Sequence, residues 1–572
     1  MFRKTFRLNK DSFLIILVLI LTFAIYCFSL CPSVYLIDSG ELAAVSYTLG
    51  IAHPTGYPLY TLISYFFAHL PGEPIVNLNV FSALCSLVAA LFLYLATKRI
   101  TQNHLIGIIC LSLFAFSPTI WRTSITNEVY PLTGLFVVLI IYLLLRLTSD
   151  REFYLIMYLV GLSFTNHMIV SAAVLPIFCY LVFVYWPRIG KILIGILFAI
   201  LGVSLYGYLL ARTWGGAELA WGNTYNLQRL IWHITGKQYQ VWMFSLTTPE
   251  IWRNVLNGFG ILLKDFLFVM LVPVFIGLYR LFGAERKKFW LFSSIFLLNF
   301  IYTINYSIPD VESYYIPGFI ALIFVFAYGL KFIARYLKWF IVLPVALAIP
   351  IINYRACTLR DNSFGLNFGR AHIEQLPESS LMICPYWDIY SPTIYLRKVK
   401  HIRTDLVIID KELLRRTWYI NYVKNEYPEF YNKTRNEIGN YLVELIKFEY
   451  DKPYSTSVIQ GKFIEMLESF IDAKMDQGVY LAIPVIDNDL RSVEPSYYRM
   501  PYGFVFRVQP DTIYHDFDFA RFELKRPAII NDPRLGFNIE ILQRMVSNNI
   551  LYLNSIRQFE KAGEAKVWLD AF

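Results

Sequence analysis

The chain has 572 residues, 56% of them hydrophobic and only 16% charged, with a formal net charge of +9. Apolar runs of roughly 18 to 20 residues, the length a helix needs to cross ~30 Å of hydrocarbon, exclude an ordinary soluble domain and indicate a polytopic membrane protein. The positive charge requires no nucleic acid, because much of it is the basic excess that membrane proteins keep on their cytoplasmic side.

In chain order, Ser12 to Leu30 resembles a signal peptide, but Cys31-Pro32-Ser33 is a poor cleavage site and further apolar segments follow. It reads as a retained first helix. Spans are expected near 12–31, 74–97, 104–121, 129–147, 153–165, 168–186, 191–211, 256–282, 288–306, 315–333 and 337–353, about eleven in all. The segment 51–70, interrupted by Pro54, Gly56 and Pro58, is expected along the membrane interface, anchored by Tyr57, Tyr60 and Tyr65.

Arg3, Lys4, Arg7, Lys10, Lys98, Arg99, Arg146, Arg151, Arg188, Lys191, Arg286, Lys287, Lys288, Lys331, Arg335 and Lys338 fall on one side of this arrangement. That side is cytoplasmic by the positive-inside rule. The loop of residues 31–73 holds no Lys or Arg, so it faces outward together with everything after about residue 353.

After Asn353 charged residues become frequent and long apolar runs cease, which divides the chain into a membrane domain, 1–353, and an extracytoplasmic α/β domain, 354–572. Ser380–Cys384 and Asp405–Ile409 read as strands flanking a helix over Ile389–Val399, a parallel βαβ unit. Lys411–Asn425 reads as a further helix. Val479–Ile483 and Gly503–Val508 are possible added strands, and Asn538–Phe572 reads as two helices broken at Ala562-Gly563. The seven cysteines have no metal-binding spacing, although Cys357 and Cys384 are candidates for a disulfide in an oxidising compartment.

Nucleotide-binding loops, the GxSxG nucleophile elbow and HExxH are absent. What stands out is Asp38-Ser39-Gly40-Glu41 in the first outer loop. A carboxylate just outside the bilayer can take a proton from an incoming hydroxyl while a lipid-phosphate leaving group stays at headgroup level. Gly40 permits a sharp turn behind it, and Glu41 shares its face if a short helix starts at Ser39. The plainer alternative is that Asp38 or Ser39 caps a helix over Gly40–Leu49.

The order of several motifs narrows the reading. Asp38-Ser39-Gly40-Glu41 is followed by Leu49-Gly50-Ile51-Ala52-His53-Pro54-Thr55-Gly56-Tyr57-Pro58, Asn127-Glu128-Val129-Tyr130, Thr165-Asn166-His167, Trp221-Gly222-Asn223, Asp310-Val311-Glu312-Ser313-Tyr314-Tyr315 and Pro385-Tyr386-Trp387-Asp388 with Arg397. Over about residues 12–420 this pattern resembles a family once catalogued as a domain of unknown function and now grouped with the GT-C superfamily. Its animal members are protein O-mannosyltransferases.

The resemblance implies a GT-C-like membrane domain and an inverting transferase that uses a polyprenyl-phosphate-linked sugar, with Asp38 as the essential acid and Glu41 as a secondary candidate. Neither metal nor cofactor is expected. Around this centre, Arg212 is the preferred phosphate partner, since a guanidinium holds phosphate oxygens bidentately; the alternative is an Arg reaching to the headgroups. Arg122 and Glu128 are candidates for donor or acceptor contact, or for an interfacial salt bridge. Asn166 and His167 are polar at membrane depth and face either the site or a neighbouring helix. Asp310, Glu312 and Tyr314 are placed to approach sugar hydroxyls or the acceptor, or to close their own loop. His53 carries a site role or a structural one, and Asp388 reads as a helix cap.

The expected partners are the lipid-linked sugar, membrane lipids and an acceptor hydroxyl, first a protein Ser or Thr and otherwise a lipid-linked glycan or envelope polymer. A transporter or flippase is the reading from another class, disfavoured because the acids cluster in outer loops rather than at the bilayer midplane. The richness in Ile, Lys, Tyr and Phe points to a bacterial inner membrane.

Overall fold

A computed structural model describes all residues except 1–9, 186–187, 269, 309, 335–338, 483–486, 494–496, 523 and 531. Arg3, Lys4, Arg7, Arg335 and Lys338, used above to orient the chain, lie outside the described residues. The chain divides into two compact units. The first comprises Met1–Cys31, His53–Ala211 and Asn226–Arg360; the second comprises Pro32–Ala52, Arg212–Tyr225 and Asp361–Phe572.

The first unit is helical. Every expected span contains helix, but among the described residues only Asp11–Ser29, Pro74–Thr101, Ile189–Trp214 and Val311–Ile333 are long and apolar enough to cross a membrane unbroken. The expected span 104–121 is two helices, His104–Phe116 and Pro118–Ser124, bent by 64°. Pro118 causes the break: it has no N–H to donate, and it holds Ser117 in an extended conformation (φ −66°, ψ 142°). The expected span 256–282 is likewise Thr248–Asp265 and Leu271–Ala284, with Leu267 and Phe268 at positive φ between them. Residues 51–70 yield a helix, Pro58–Ala68, with its proline in the first turn, where the missing N–H costs nothing. Close packing of Leu271–Ala284 on Ile316–Ile333 depends on Gly277 and Gly329, where any Cβ would collide with the carbonyls of Val325 and Pro273 respectively.

The second unit is built on a five-stranded mixed sheet in the order β2-β1-β3-β5-β4, with β1 Leu381–Cys384, β2 Val407–Asp410, β3 Val479–Leu481, β4 Tyr498–Tyr502 and β5 Val505–Gln509. β1 runs parallel to both β2 and β3, and the helix Trp387–Lys398 connects β1 to β2 in the expected βαβ unit. Both β1 and β2 are buried throughout, which is why they read as continuous apolar runs. β4 was not expected; it forms an antiparallel hairpin with β5 through Gly503 at φ 56°. The terminal helices are Pro533–Ser555 and Phe559–Ala571, so the break falls before Phe559 rather than at Gly563. All seven cysteines are free thiols; the Cys357–Cys384 disulfide does not form.

Asp410, at the end of β2, is buried, and burial pushes its carboxyl up to about 7 although the Leu413 backbone N–H donates to it at 2.9 Å. The unfolded chain releases this proton near 3.8 while the fold retains it to about 7. The second unit is therefore expected to lose stability as pH rises through that window, and the Asp410→Asn protein to lose less. Thermal midpoints of the two solubilised proteins across the window provide the check; parallel curves would refute it.

Candidate active site

Asp38 and Glu41 open the helix Ser39–Thr48, which belongs to the second unit. Alanines at 43 and 44 favour the helix. Leu49 in the left-handed conformation ends it, with its N–H bonded to the Val45 carbonyl. The helix lies against Trp387–Lys398, and Gly40 makes that approach possible: a Cβ there would collide with the Ser391 carbonyl and lie 2.9 Å from Pro392 N. Glu41 is fixed to the same helix by its backbone N–H, which donates to Ser391 Oγ at 3.1 Å. Gly40→Ala is therefore expected to cost ~1–3 kcal/mol through overpacking and to lower activity by displacing Asp38. Unchanged thermal stability of that variant would show that the contact yields without cost.

Asp38 occupies the N-cap position but makes no capping hydrogen bond, contrary to the simple cap reading. Its Oδ1 instead accepts from Trp387 Nε1–H at 2.8 Å. The adjacent residue, Asp388, is fully buried and is not the expected helix cap: it lies inside the first turn, after the N-cap Tyr386. Its carboxylate accepts from the Ile37 backbone N–H at 2.8 Å, Arg534 Nε at 2.6 Å, Asn538 Nδ2 at 2.8 Å and Tyr386 Oη at 3.2 Å. Burial opposes the Arg534 charge, but Asp388, Tyr386 and Asp38 together hold its guanidinium protonated beyond its ordinary range. Asp38 thus sits at a helix N-terminus, with the Arg534 cation in its field and the Glu41 carboxylate nearby.

Glu41 is buried and borders a cavity of about 30 Å³ walled in part by Trp221, Tyr390, Trp418 and Tyr422. Trp221 packs edge-on against Trp387, with ring centroids 5.7 Å apart, and so continues the aromatic wall from Asp38. Arg212 is placed elsewhere: Nε donates to the Leu49 carbonyl at 2.6 Å and Nη2 to that of Thr48 at 3.4 Å, at the C-terminal end of the helix that Asp38 begins. The guanidinium caps carbonyls that the helix leaves open.

The remaining candidates lie in the first unit. His53 Nε2 is 2.9 Å from Tyr57 Oη, Tyr57 stacks on His167 at 5.5 Å, and His167 packs on Tyr130 and Tyr314 at 5.2 and 5.4 Å. Tyr130 Oη donates to Asp310 Oδ2 at 3.3 Å. His53, His167, Asp310 and Tyr314 therefore converge through two tyrosines that the sequence did not single out as site residues. Asn166 donates to the Val129 carbonyl and Thr133 Oγ1 at 3.0 and 2.8 Å, the helix-to-helix alternative. The Glu128 backbone meets Ser82 Oγ, Arg122 donates to the Ala356 carbonyl, and Glu312 is exposed.

Residues 38–189 match the family profile described as the Protein O-mannosyl-transferase TMEM260 N-terminal domain. Protein O-mannosyl-transferase tmem260 of Dictyostelium discoideum is 23% identical over 90% of this chain and 69% of its own length. The mouse protein TMEM260 is 25% identical over 68% of this chain and 61% of its own. This chain is similar to the TMEM260 O-mannosyl-transferases. The crystal structure of apo ArnT from Cupriavidus metallidurans superposes with a TM-score of 0.50 at 10% identity, over 71% of this chain and 92% of that one, which shows a shared fold. The chain is thus similar in sequence to O-mannosyl-transferases and shares the fold of ArnT, with four helices among its described residues long and apolar enough to cross a membrane.

Proposed function

We propose that the chain transfers a hexose, mannose in the first instance, from a polyprenyl-phosphate carrier to the hydroxyl of a protein Ser or Thr, with inversion at the anomeric carbon. The acceptor oxygen forms a bond to C1 as the bond from C1 to the phosphate oxygen breaks. Polyprenyl phosphate leaves with the electron pair, and the acceptor proton passes to Asp38. The observation that carries this reading is the placement of the Asp38 carboxylate, half-exposed at a helix N-terminus and oriented by Trp387 Nε1–H. A half-buried carboxylate fixed in direction suits the acceptance of a proton from a hydroxyl nucleophile. The mannosyl-transferase relatives support the choice of sugar and acceptor.

Within this proposal Glu41 borders the sugar. The N-terminus is cytoplasmic, and Asp38 faces the opposite compartment. Purified protein is tested with labelled sugars on a panel of polyprenyl phosphates and with membrane proteins or a Ser/Thr peptide as acceptor. Alkali-labile label on the polypeptide is the expected result. Label on lipid or glycan alone would replace the protein acceptor, and no transfer from any donor by folded protein would favour a transporter.

A further inference from the structure

We infer that the first unit holds a site for the phosphodiester headgroup of an anionic phospholipid, in a cavity of about 280 Å³ where several of its helices end. Pro74–Thr101 and Tyr130–Leu144 finish beside this cavity, and Arg286–Ile304 begins there. Its wall includes Arg99, Leu144, Leu145, Tyr180, Lys288 and Leu291. The volume lies close to the lower bound of the ~300–1,000 Å³ of pockets that hold small ligands, which suits a headgroup whose fatty chains stay outside.

Arg99 supplies the main indication that something binds. Its Nε donates to the Leu145 carbonyl at 3.3 Å, which holds the guanidinium against the end of the neighbouring helix. Nη1 and Nη2 bond no described residue, and no described carboxylate pairs with the charge. Arg99 is exposed, so these donors are open to a ligand rather than sealed in the interior. The hydroxyl of half-buried Tyr180 is likewise without a partner among the described residues. A guanidinium fixed through Nε offers its other N–H groups as the planar fork that matches two phosphate oxygens.

The surroundings decide the class of ligand. Lys288 Nζ is paired with Glu285 and donates to Tyr328 Oη at 3.0 Å, so that cation is already balanced. Arg99 then leaves the described wall with one uncompensated positive charge, which repels a cation and which a neutral ligand does not offset. Helix C-terminal carbonyls ordinarily repel an anion, but that of Leu145 accepts from Arg99 and that of Ile100 from Lys331 Nζ at 2.9 Å. Leu144, Leu145 and Leu291 make the rest of the wall apolar. A free anion gains nothing from that surface, whereas the glycerol and first methylenes of a phospholipid bury against it. A singly charged phosphodiester on an apolar stem fits both halves.

Under the orientation proposed above, these helix ends lie at the cytoplasmic leaflet, where basic pockets between spanning helices take up anionic headgroups. The cavity includes none of the residues assigned to sugar transfer, so the inference does not depend on transfer taking place.

The test uses the full chain in neutral detergent, mixed with phosphatidylglycerol or phosphatidylcholine and followed by native mass spectrometry, which counts bound lipids. Inorganic phosphate and glycerophosphate are added as competitors. A saturable first phosphatidylglycerol is expected, bound at least ~10-fold more tightly than phosphatidylcholine and weakened at least ~10-fold by Arg99→Gln. That variant gives up one hydrogen bond from an exposed side chain and is expected to fold. Tyr180→Phe keeps the ring, removes the hydroxyl and is expected to weaken binding in the same direction. Arg151→Gln, at an exposed position outside the wall, is expected to leave binding unchanged. The inference is overturned if phosphatidylcholine binds as tightly as phosphatidylglycerol, or if Arg99→Gln binds like the parent. It is equally overturned if Arg151→Gln weakens binding as much as Arg99→Gln, which would show diffuse surface charge. Displacement of the lipid by an equal concentration of phosphate or glycerophosphate would show a site for a free anion instead.

Discussion

Replacing Asp38 by Asn is expected to lower sugar transfer by ~10²–10⁴-fold while leaving the fold and donor affinity near those of the parent chain. The substitution is nearly isosteric, and an Asn Oδ1 still accepts from Trp387 Nε1–H, so the side chain stays where it is. What disappears is the negative charge that receives the acceptor proton. The loss should therefore appear in kcat, with the donor KM little changed. Trp387→Phe provides a graded control: it keeps the ring against Trp221 but removes the donor that orients Asp38, so a smaller loss is expected. Turnover of Asp38→Asn within ~10-fold of the parent would remove Asp38 from the chemistry and leave its carboxylate a structural group.

The sequence exposed the features that depend on near neighbours. Apolar runs locate the helices of the first unit because burial and lipid select the same residues along a whole segment. β1 and β2 are readable for a related reason, since a strand buried on both faces is apolar throughout. β4 was hidden: Tyr498–Tyr502 is exposed at its first residue and half-buried along the rest, and it includes Pro501, so it lacks the apolar alternation of a strand and depends on β5 for its pairing. Pro118 was in plain view, but an apolar count over 104–121 passes through a proline that the backbone does not.

The candidate site divides along the same line. Asp38 and Glu41 were legible as acids in a loop without basic residues. The reason Asp38 points where it does was not, because Trp387 is 349 residues away and Asp388 bonds Ile37 across 351. Asp388, two residues into a helix, has the local signature of a cap, and only the tertiary structure reveals that its carboxylate faces another segment. Arg534 follows Asp532-Pro533, which announces the start of a helix and nothing more. Arg212 shows the converse: a guanidinium after an apolar run invites a phosphate, and only the tertiary structure reveals that the open carbonyls of Thr48 and Leu49 also lie within its reach. A residue type at a plausible depth states what a side chain can do, and its neighbours determine which of those things it does.

The largest structural effect is expected at Asp388. Its carboxylate is wholly buried and holds three parts of the second unit together: the Ile37 backbone just before Asp38, Arg534 at the start of Pro533–Ser555, and Asn538 one turn further on. Ile37 is a β-branched residue at φ 61°, a conformation that needs support, and the hydrogen bond from its N–H to Asp388 supplies some. Asp388→Ala leaves a guanidinium whose side chain is only 19% exposed without its carboxylate, and takes this acceptor from three further donors, those of Ile37, Asn538 and Tyr386. Removing one partner from a buried, hydrogen-bonded ion pair costs ~3–5 kcal/mol, so the thermal midpoint of the solubilised protein should fall and the 32–52 segment should become sensitive to protease. Asp388→Asn should be milder, since its amide oxygen can still accept from Ile37. The double variant Asp388→Ala/Arg534→Met should recover part of the loss, because an uncompensated charge is worse than none. A single Ala variant within ~0.5 kcal/mol of the parent would show that the network is dispensable to stability. Asp38 would then require another source of its fixed position.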